Sequence, residues 1–303
     1  MPVIEVNNLT KDYGHGRGVF DVSLNVEKGV CYGFLGPNGA GKTTTIRHLM
    51  GFSKPQNGTT RILGRDCWDH ATELKAEIGY LPGEIAFPKG LTGTEFLNMQ
   101  MKMHGIADDT YLKELLKRFE LEPSMNVDKM SLGVRRKLAV VTAFIHDPDI
   151  LILDEPTSGL DPVMQQCFID FILAEKKRGK TILLSSHIFH EIDATCDRIS
   201  IIKDGRIVAD FVANELKQRS SKIYRVTFEN KKSFDRFTSL DYTFHSKNEK
   251  KLWARVIIPT EQINKLLADI SELDVVNFQE IVFTLEDYFM EFYKNDHVFE
   301  EVR

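Results

Sequence analysis

Gly36-Pro37-Asn38-Gly39-Ala40-Gly41-Lys42-Thr43-Thr44 is the stretch that decides how the rest of this chain is read. It fits the pattern G-x-x-x-x-G-K-[ST] in full, with a β-rich run at residues 30–35 before it and an apparent helix at 42–50 after it. Glycines let successive backbone N–H groups turn inward on an anion, and the helix N-terminus adds about half a positive charge. Lys42 supplies a movable ammonium for terminal phosphates, and the Thr43 hydroxyl is placed to ligate Mg²⁺. The plain alternative is a glycine-rich turn with an exposed lysine. It leaves the strand before and the helix after the loop unexplained.

Working outward, further β-rich runs lie at 3–6 and 19–26, and apolar strands at 150–153, 181–184 and 198–202 alternate with helical stretches at 162–178 and 187–195. That rhythm predicts an α/β core, a sheet covered by helices. Residues 92–146 read as a helical insert, with Thr94 as the N-cap of a helix carrying Phe96, Leu97 and Met101, and further helices near 108–119 and 131–146. After about residue 217 the texture changes, with strand candidates at 222–228, 241–247, 251–258 and 275–281. Leu252, Ala254, Val256 and Ile258 share one face. Ile263, Leu266, Leu267 and Ile270 repeat at helical spacing, as do Leu285, Tyr288, Phe289 and Phe292 behind a Thr284…Asp287 capping box. A β-α-β-β-α-β order with a last helix predicts a small α+β, ferredoxin-like second domain. The expected division is therefore 1–217 and 222–303.

The bulk numbers bound the function. The chain has 303 residues, 42% hydrophobic and 27% charged, which is the composition of an ordinary globular protein with room for two cores. A net charge of -5 argues against a protein whose main task is to coat nucleic acid. Cys31, Cys67, Cys167 and Cys196 are scattered, without a C-x-x-C pair, so reduced thiols are expected rather than disulfides or zinc. No run reaches the roughly 18 apolar residues needed to span a bilayer, and the first residues lack a signal-peptide pattern, so a soluble chain is expected and any membrane role must come through a partner.

Asp154 and Glu155 follow the apolar strand Ile150-Leu151-Ile152-Leu153, and strand ends in such sheets are where ligands sit. Asp154 is suited to hold Mg²⁺, and Glu155 to polarise an attacking water as general base. An acidic pair after a strand is by itself usually a solvated turn. Joined to a phosphate loop in the same sheet, it reads as chemistry.

The run Asp154-Glu155-Pro156-Thr157-Ser158-Gly159-Leu160-Asp161-Pro162 carries the sequence further. With it, about residues 3–217 resemble the nucleotide-binding subunit of an ABC (ATP-binding cassette) transporter. The resemblance implies a P-loop fold of mixed sheet and helical subdomain that binds ATP through Gly36 to Thr44 and hydrolyses it. It places Asp161 in the D-loop, His187 as the switch histidine that senses the γ-phosphate, and Tyr13 where an aromatic ring stacks on adenine. It also implies that Ser131 and Gly133, in Met130-Ser131-Leu132-Gly133-Val134, form the signature that reaches the ATP of a second subunit. There the family commonly has Leu-Ser-Gly-Gly-Gln, so one glycine and the glutamine are replaced. In Ile78-Gly79-Tyr80-Leu81-Pro82-Gly83-Glu84, Gly83 stands where relatives carry a glutamine that touches Mg²⁺, which leaves Glu84 as the candidate substitute.

The same resemblance implies the partners: a second nucleotide-binding subunit closing head to tail around two ATP molecules, and a separately encoded integral membrane permease that holds the subunit peripherally on the cytoplasmic face. The tail beyond about 222 is similar to extensions of exporter subunits, which favours export, and no nucleic acid is expected. The competing class is an ABC ATPase acting on ribosomes or DNA; such proteins usually have two cassettes or a long coiled coil, which are not found in this sequence. A GTP switch predicts an N/T-K-x-D motif, and Thr10-Lys11-Asp12 is too short and misplaced to be one.

Overall fold

The computed structural model describes residues 2–217, 221–281 and 284–292. The chain forms two compact units, Met1–Ala213 and Asn214–Arg303. The expected boundary at 217–222 runs through residues 218–220, and these, with 282–283 and the end of the expected second domain at 293–303, lie outside the described residues.

The first unit opens with the antiparallel hairpin β1 (Ile4–Asp12) and β2 (Gly18–Val26), and β3 (Cys31–Leu35) then runs through the glycine-rich loop into α1 (Lys42–Leu49). There follow β4 (Asn57–Ile62), β5 (Arg65–Asp66), α2 (Ala71–Glu77) and β6 (Ile78–Leu81). Three helices make up the expected insert: α3 (Gly93–Met103), α4 (Thr110–Arg118) and α5 (Leu132–Phe144). The chain then alternates β7 (Ile150–Asp154), α6 (Pro162–Lys177), β8 (Thr181–Ser186), α7 (Phe189–Thr195) and β9 (Arg198–Lys203), and returns along β10 (Arg206–Val212).

These strands make a four-stranded antiparallel sheet, β2-β1-β4-β5, and a six-stranded sheet, β10-β9-β3-β8-β7-β6, parallel except for the β10–β9 pair. Every residue of β3, β7 and β8 is buried, as expected for parallel strands covered on both faces. By contrast β10 alternates exposed with half-buried residues, as an antiparallel edge strand does. Helix α1 lies between the sheets, its Ile46 and Leu49 packing with Val22 and Ile62 of one and Phe34, Ile152 and Leu183 of the other. The loop before α1 is thus held by core on both sides.

One expected cap is corrected. Thr92, not Thr94, is the N-cap of α3: its backbone is extended (φ -78°, ψ 159°) and its hydroxyl accepts from Glu95 N while the Glu95 carboxylate reaches back to Thr92 N. Thr94 lies inside the helix, its N–H bonded to Pro123 O at 2.8 Å. Strands β4, β5, β6 and β10 escaped the sequence reading; β4 is polar, and β5 and β6 are short.

The second unit begins within α8 (Ala213–Lys217). It contains β11 (Ser221–Phe228), α9 (Lys231–Thr238), β12 (Thr243–Asn248), β13 (Trp253–Pro259), α10 (Ile263–Ser271), β14 (Val275–Ile281) and α11 (Leu285–Glu291). Its antiparallel sheet runs β12-β13-β11-β14, over a core of Val226, Phe237, Val256 and Leu266. The Thr284–Asp287 capping box is present in both directions. Leu267 departs from expectation: it is 43% exposed, because α10 turns Leu266 and Ile270 onto the core and leaves Leu267 on the flank.

Candidate active site

Register in the parallel sheet assembles the site. Leu35 pairs with Ser186 and Asp154 with Ser185, so β3, β7 and β8 end level. The glycine-rich loop, the Asp154-Glu155 turn and the segment holding His187 therefore emerge side by side, at the carboxyl ends where open α/β sheets bind ligands. They meet at a cavity of about 620 Å³ whose lining includes Asn38, Thr43, Gly83, Glu84, Glu155 and His187.

In the loop, Gly41 has φ 114°, a left-handed backbone, and a Cβ there would lie 2.8 Å from Val19 Cγ1. A Cβ on Gly36 would lie 2.6 Å from Ile202 O. Packing excludes a side chain at both positions, and at Gly41 the left-handed backbone excludes it as well. Gly41 occupies the N-cap of α1 and offers no side chain to the helix's first N–H groups, which leaves them for an anion. Lys42, 5% exposed, donates from Nζ to Gly36 O (2.6 Å) and Pro37 O (3.2 Å), and stands 3.0 Å from Glu155 Oε1.

Asp154 is fully buried, and its two oxygens are held separately: Oδ2 accepts from Thr43 Oγ1 at 2.7 Å, and Oδ1 from the Ser185 hydroxyl. Burial raises its pKa above the usual carboxylate range, opposed by those two hydroxyls. Glu155 points elsewhere because its backbone is left-handed (φ 49°), anchored by its N–H to Ser185 O at 2.9 Å. Such a conformation in a non-glycine residue costs about 1–3 kcal/mol and is held where the surroundings over-determine it. The turn aims Oε2 at His187 Nδ1, 2.7 Å away. Oε1 is buried without a hydrogen-bond partner, since Lys42 sits at ion-pair distance but outside hydrogen-bond geometry.

The residues fit a small hard cation. Thr43 Oγ1 and Asp154 Oδ2 already converge, Glu155 Oε1 is unsatisfied nearby, and all are oxygens, the donors Mg²⁺ prefers. Gly83 matters here: a Cβ on it would lie 3.0 Å from Asp154 Oδ2, so the wall opposite the carboxylate is bare backbone. Glu84 lines the same cavity from an exposed position.

Other expected site residues stand apart. Tyr13 is 51% exposed and is not among the residues lining the cavity; it lies on the β1–β2 turn, bonded to Arg17 O through its N–H. Ser131 is the exposed N-cap of α5, accepting from Val134 N at 3.3 Å, and Gly133 faces Gly159, where a Cβ would meet the carbonyl at 3.2 Å. Asp161 caps α6, accepting from Val163 N and Met164 N. Thr44 lies in the first turn of α1, its carbonyl 2.8 Å from His48 Nδ1. Sequence reasoning missed Ser185 and Arg136. The Ser-Ser-His run ending a buried strand signalled the first; Arg136 passed as one of three basic residues on a helix.

A family model described as "ABC transporter" matches residues 19–158. The chain is 34% identical over 296 residues to the bacitracin transport ATP-binding protein BcrA of Bacillus licheniformis, covering 95% of this chain and 96% of BcrA. It belongs to the ABC transporter family, as an ATP-binding subunit. The daunorubicin/doxorubicin resistance ATP-binding protein DrrA of Streptomyces peucetius is another full-length ABC relative, 33% identical with 95% of this chain and 91% of DrrA covered. Among solved structures, an ATP-binding subunit of an ABC transporter superposes with a TM-score of 0.65 at 30% identity, covering 71% of this chain and 92% of that one. As an ABC subunit this chain binds and hydrolyses ATP to power a membrane permease. Among the described residues no helix is long and apolar enough to cross a membrane.

Proposed function

We propose that this subunit hydrolyses ATP in two composite sites shared with a second nucleotide-binding subunit, and that the cycle drives export through a separate integral membrane permease. The convergence of Thr43, Glu155 and His187 at one cavity, with Asp154 bonded to Thr43 and Lys42 paired with Glu155 behind its lining and Ser131 outside it, is the observation that carries this reading. One chain then supplies half of each site. Leu132 (58% exposed) beside Ser131, and Val163 (73% exposed) beside Asp161, are apolar residues left open next to both motifs expected to face the partner.

The roles follow from the contacts. The loop from Gly36 to Thr44 wraps the phosphates with backbone N–H groups, and Lys42 turns from the Gly36 and Pro37 carbonyls to the β- and γ-phosphates. Thr43 and Asp154 hold Mg²⁺, with Glu84 as a further carboxylate on the same wall. The bound metal neutralises charge on the phosphate oxygens. Glu155 takes a proton from the attacking water, and His187, bonded to its other oxygen, orients it and senses the γ-phosphate. Tyr13 stacks on adenine, and Ser131 and Gly133 address the partner's ATP. Asp161 sits at the dimer face.

That relatives are named for bacitracin transport, daunorubicin/doxorubicin resistance and Nod factor export favours export over import. The subunit would lie on the cytoplasmic side of the membrane, held by its permease. In the second unit, the element order and the sheet order β12-β13-β11-β14 support a ferredoxin-like domain that stabilises or regulates the dimer.

Mixing Lys42→Ala and Ser131→Ala chains tests the composite site. Each alone should be inactive with Mg²⁺ and ATP, while random pairing should restore measurable activity, at most about a quarter of wild type, because half the dimers then hold one intact site of two and coupling between the sites can only lower that share. A mixture no more active than its parts refutes the reading.

A further inference from the structure

Arg136 performs no role in the site as described, yet it is built into it. It lies on α5, downstream of the Ser131 cap, and is 4% exposed. All three guanidinium nitrogens donate to backbone carbonyls: Nη1 to Pro82 (3.1 Å), Nη2 to Gly83 (2.8 Å) and Nε to Ser158 (2.9 Å). The Pro82-Gly83 segment is the bare wall opposite Asp154, and Ser158 closes the turn begun by Glu155, its N–H bonded to Glu155 O at 3.2 Å. One planar fork therefore clamps the metal side and the base side of the site to the same helix.

No carboxylate among the described residues makes an ion pair with Arg136. The nearby charges of Asp154, Glu155 and Glu191 favour its protonated form, against the burial that lowers its pKa. Retaining a buried cation for carbonyls alone is costly. What a guanidinium offers in return is geometry: a rigid plane with five donors, able to hold two loops at once, which neither a lysine nor a glutamine reproduces. The N-terminal end of this helix, little more than one turn before Arg136, is Ser131, and Gly133 within its first turn abuts Gly159 of the loop that Arg136 grips.

We propose that Arg136 is a positioning residue that couples the chain's own ATP site to the Ser131 end of α5, so that nucleotide in one site of the dimer sets the competence of the other. A shift of the Pro82-Gly83 segment or of the Glu155–Ser158 turn moves the fork, and α5 moves with it. The inference rests on the reading of Ser131 as acting in trans.

The test is steady-state hydrolysis by the full chain over a range of ATP concentrations, with ATP binding and thermal unfolding measured alongside, for wild type, Arg136→Gln and Arg136→Lys. Wild type should be cooperative in ATP. Arg136→Gln should bring the Hill coefficient to one and lower kcat about tenfold, within the usual span of allosteric couplings, while ATP affinity and Tm hold. Arg136→Lys, which keeps the charge and loses the fork, should fall between. A non-cooperative wild type, or unchanged cooperativity and kcat in Arg136→Gln, overturns the proposal. So does a joint loss of ATP binding and Tm in both variants, which would mark Arg136 as a stabilising contact alone. The Lys42→Ala and Ser131→Ala mixing assay judges the in-trans reading without touching Arg136. Restored activity there with unchanged cooperativity in Arg136→Gln would remove the coupling and leave the composite site standing.

Discussion

Glu155→Gln separates binding from chemistry. The glutamine keeps the shape of a side chain held by a left-handed backbone, 3.0 Å from Lys42 Nζ and 2.7 Å from His187 Nδ1, so the fold of the turn should persist. What disappears is the proton acceptor. A positioned general base is worth about 10²–10⁴-fold, or about 3–5 kcal/mol of barrier, and turnover should fall by that factor. Binding should move the other way. A carboxylate about 5 Å from a phosphate charge repels it by about 3 kcal/mol at an effective dielectric constant near 20, and the adjacent Lys42 cancels much of this, leaving up to about a tenfold gain in ATP affinity. Single-turnover hydrolysis, nucleotide retained through gel filtration, and light scattering read the three consequences: slow chemistry, bound ATP, and an accumulated dimer. Normal turnover by a monomeric variant would refute the assignment. Loss of ATP binding together with turnover would recast Glu155 as a structural partner of Lys42.

Two further perturbations probe the surroundings. Glu191, 1% exposed on α7, has its pKa pushed from 4.5 up to about 7, chiefly by burial, with the Ser186 hydroxyl opposing and the charge of Glu155 adding. The unfolded chain therefore loses this proton first, and stability falls as pH rises between about 4.5 and about 7, by roughly 3 kcal/mol at 1.36 kcal/mol per pKa unit. Glu191→Gln abolishes that loss, so its Tm should draw ahead of wild type as pH climbs through this window and stay ahead above it; parallel Tm profiles contradict the account. Glu84→Ala tests the carboxylate beside Gly83: turnover should drop several-fold and more Mg²⁺ should be needed for half-maximal rate, whereas an unchanged Mg²⁺ titration leaves Glu84 a bystander on the cavity wall.

Legibility tracked the range of the interactions involved. Lys42 and Thr43 were readable because the chemistry of a phosphate loop is written in consecutive residues, and the buried strands β7 and β8 announced themselves as unbroken apolar runs. Thr92 was missed as the α3 cap in favour of Thr94, although Glu95 three residues on completes its capping box. Arg136 was not readable at all: nothing local distinguishes it from its neighbours Arg135 and Lys137, and its role appears only when Pro82, Gly83 and Ser158 arrive beside it.

The sequence by itself determined that this chain is an ABC-type P-loop ATPase and which segments carry its chemistry, because the loop from Gly36 to Thr44 and the Asp154-Glu155 pair are defined by residue type and order. Only the tertiary structure decided how those segments act on one another. Thr43 and Asp154 lie 111 positions apart and meet through the register of β3, β8 and β7. Glu155 turns from its neighbour to Lys42 and His187 because its N–H is tied to Ser185 on the next strand. Which strands lie side by side, and the left-handed turn held between them, depend on packing among segments far apart in the chain, and no one segment's residues specify its neighbour.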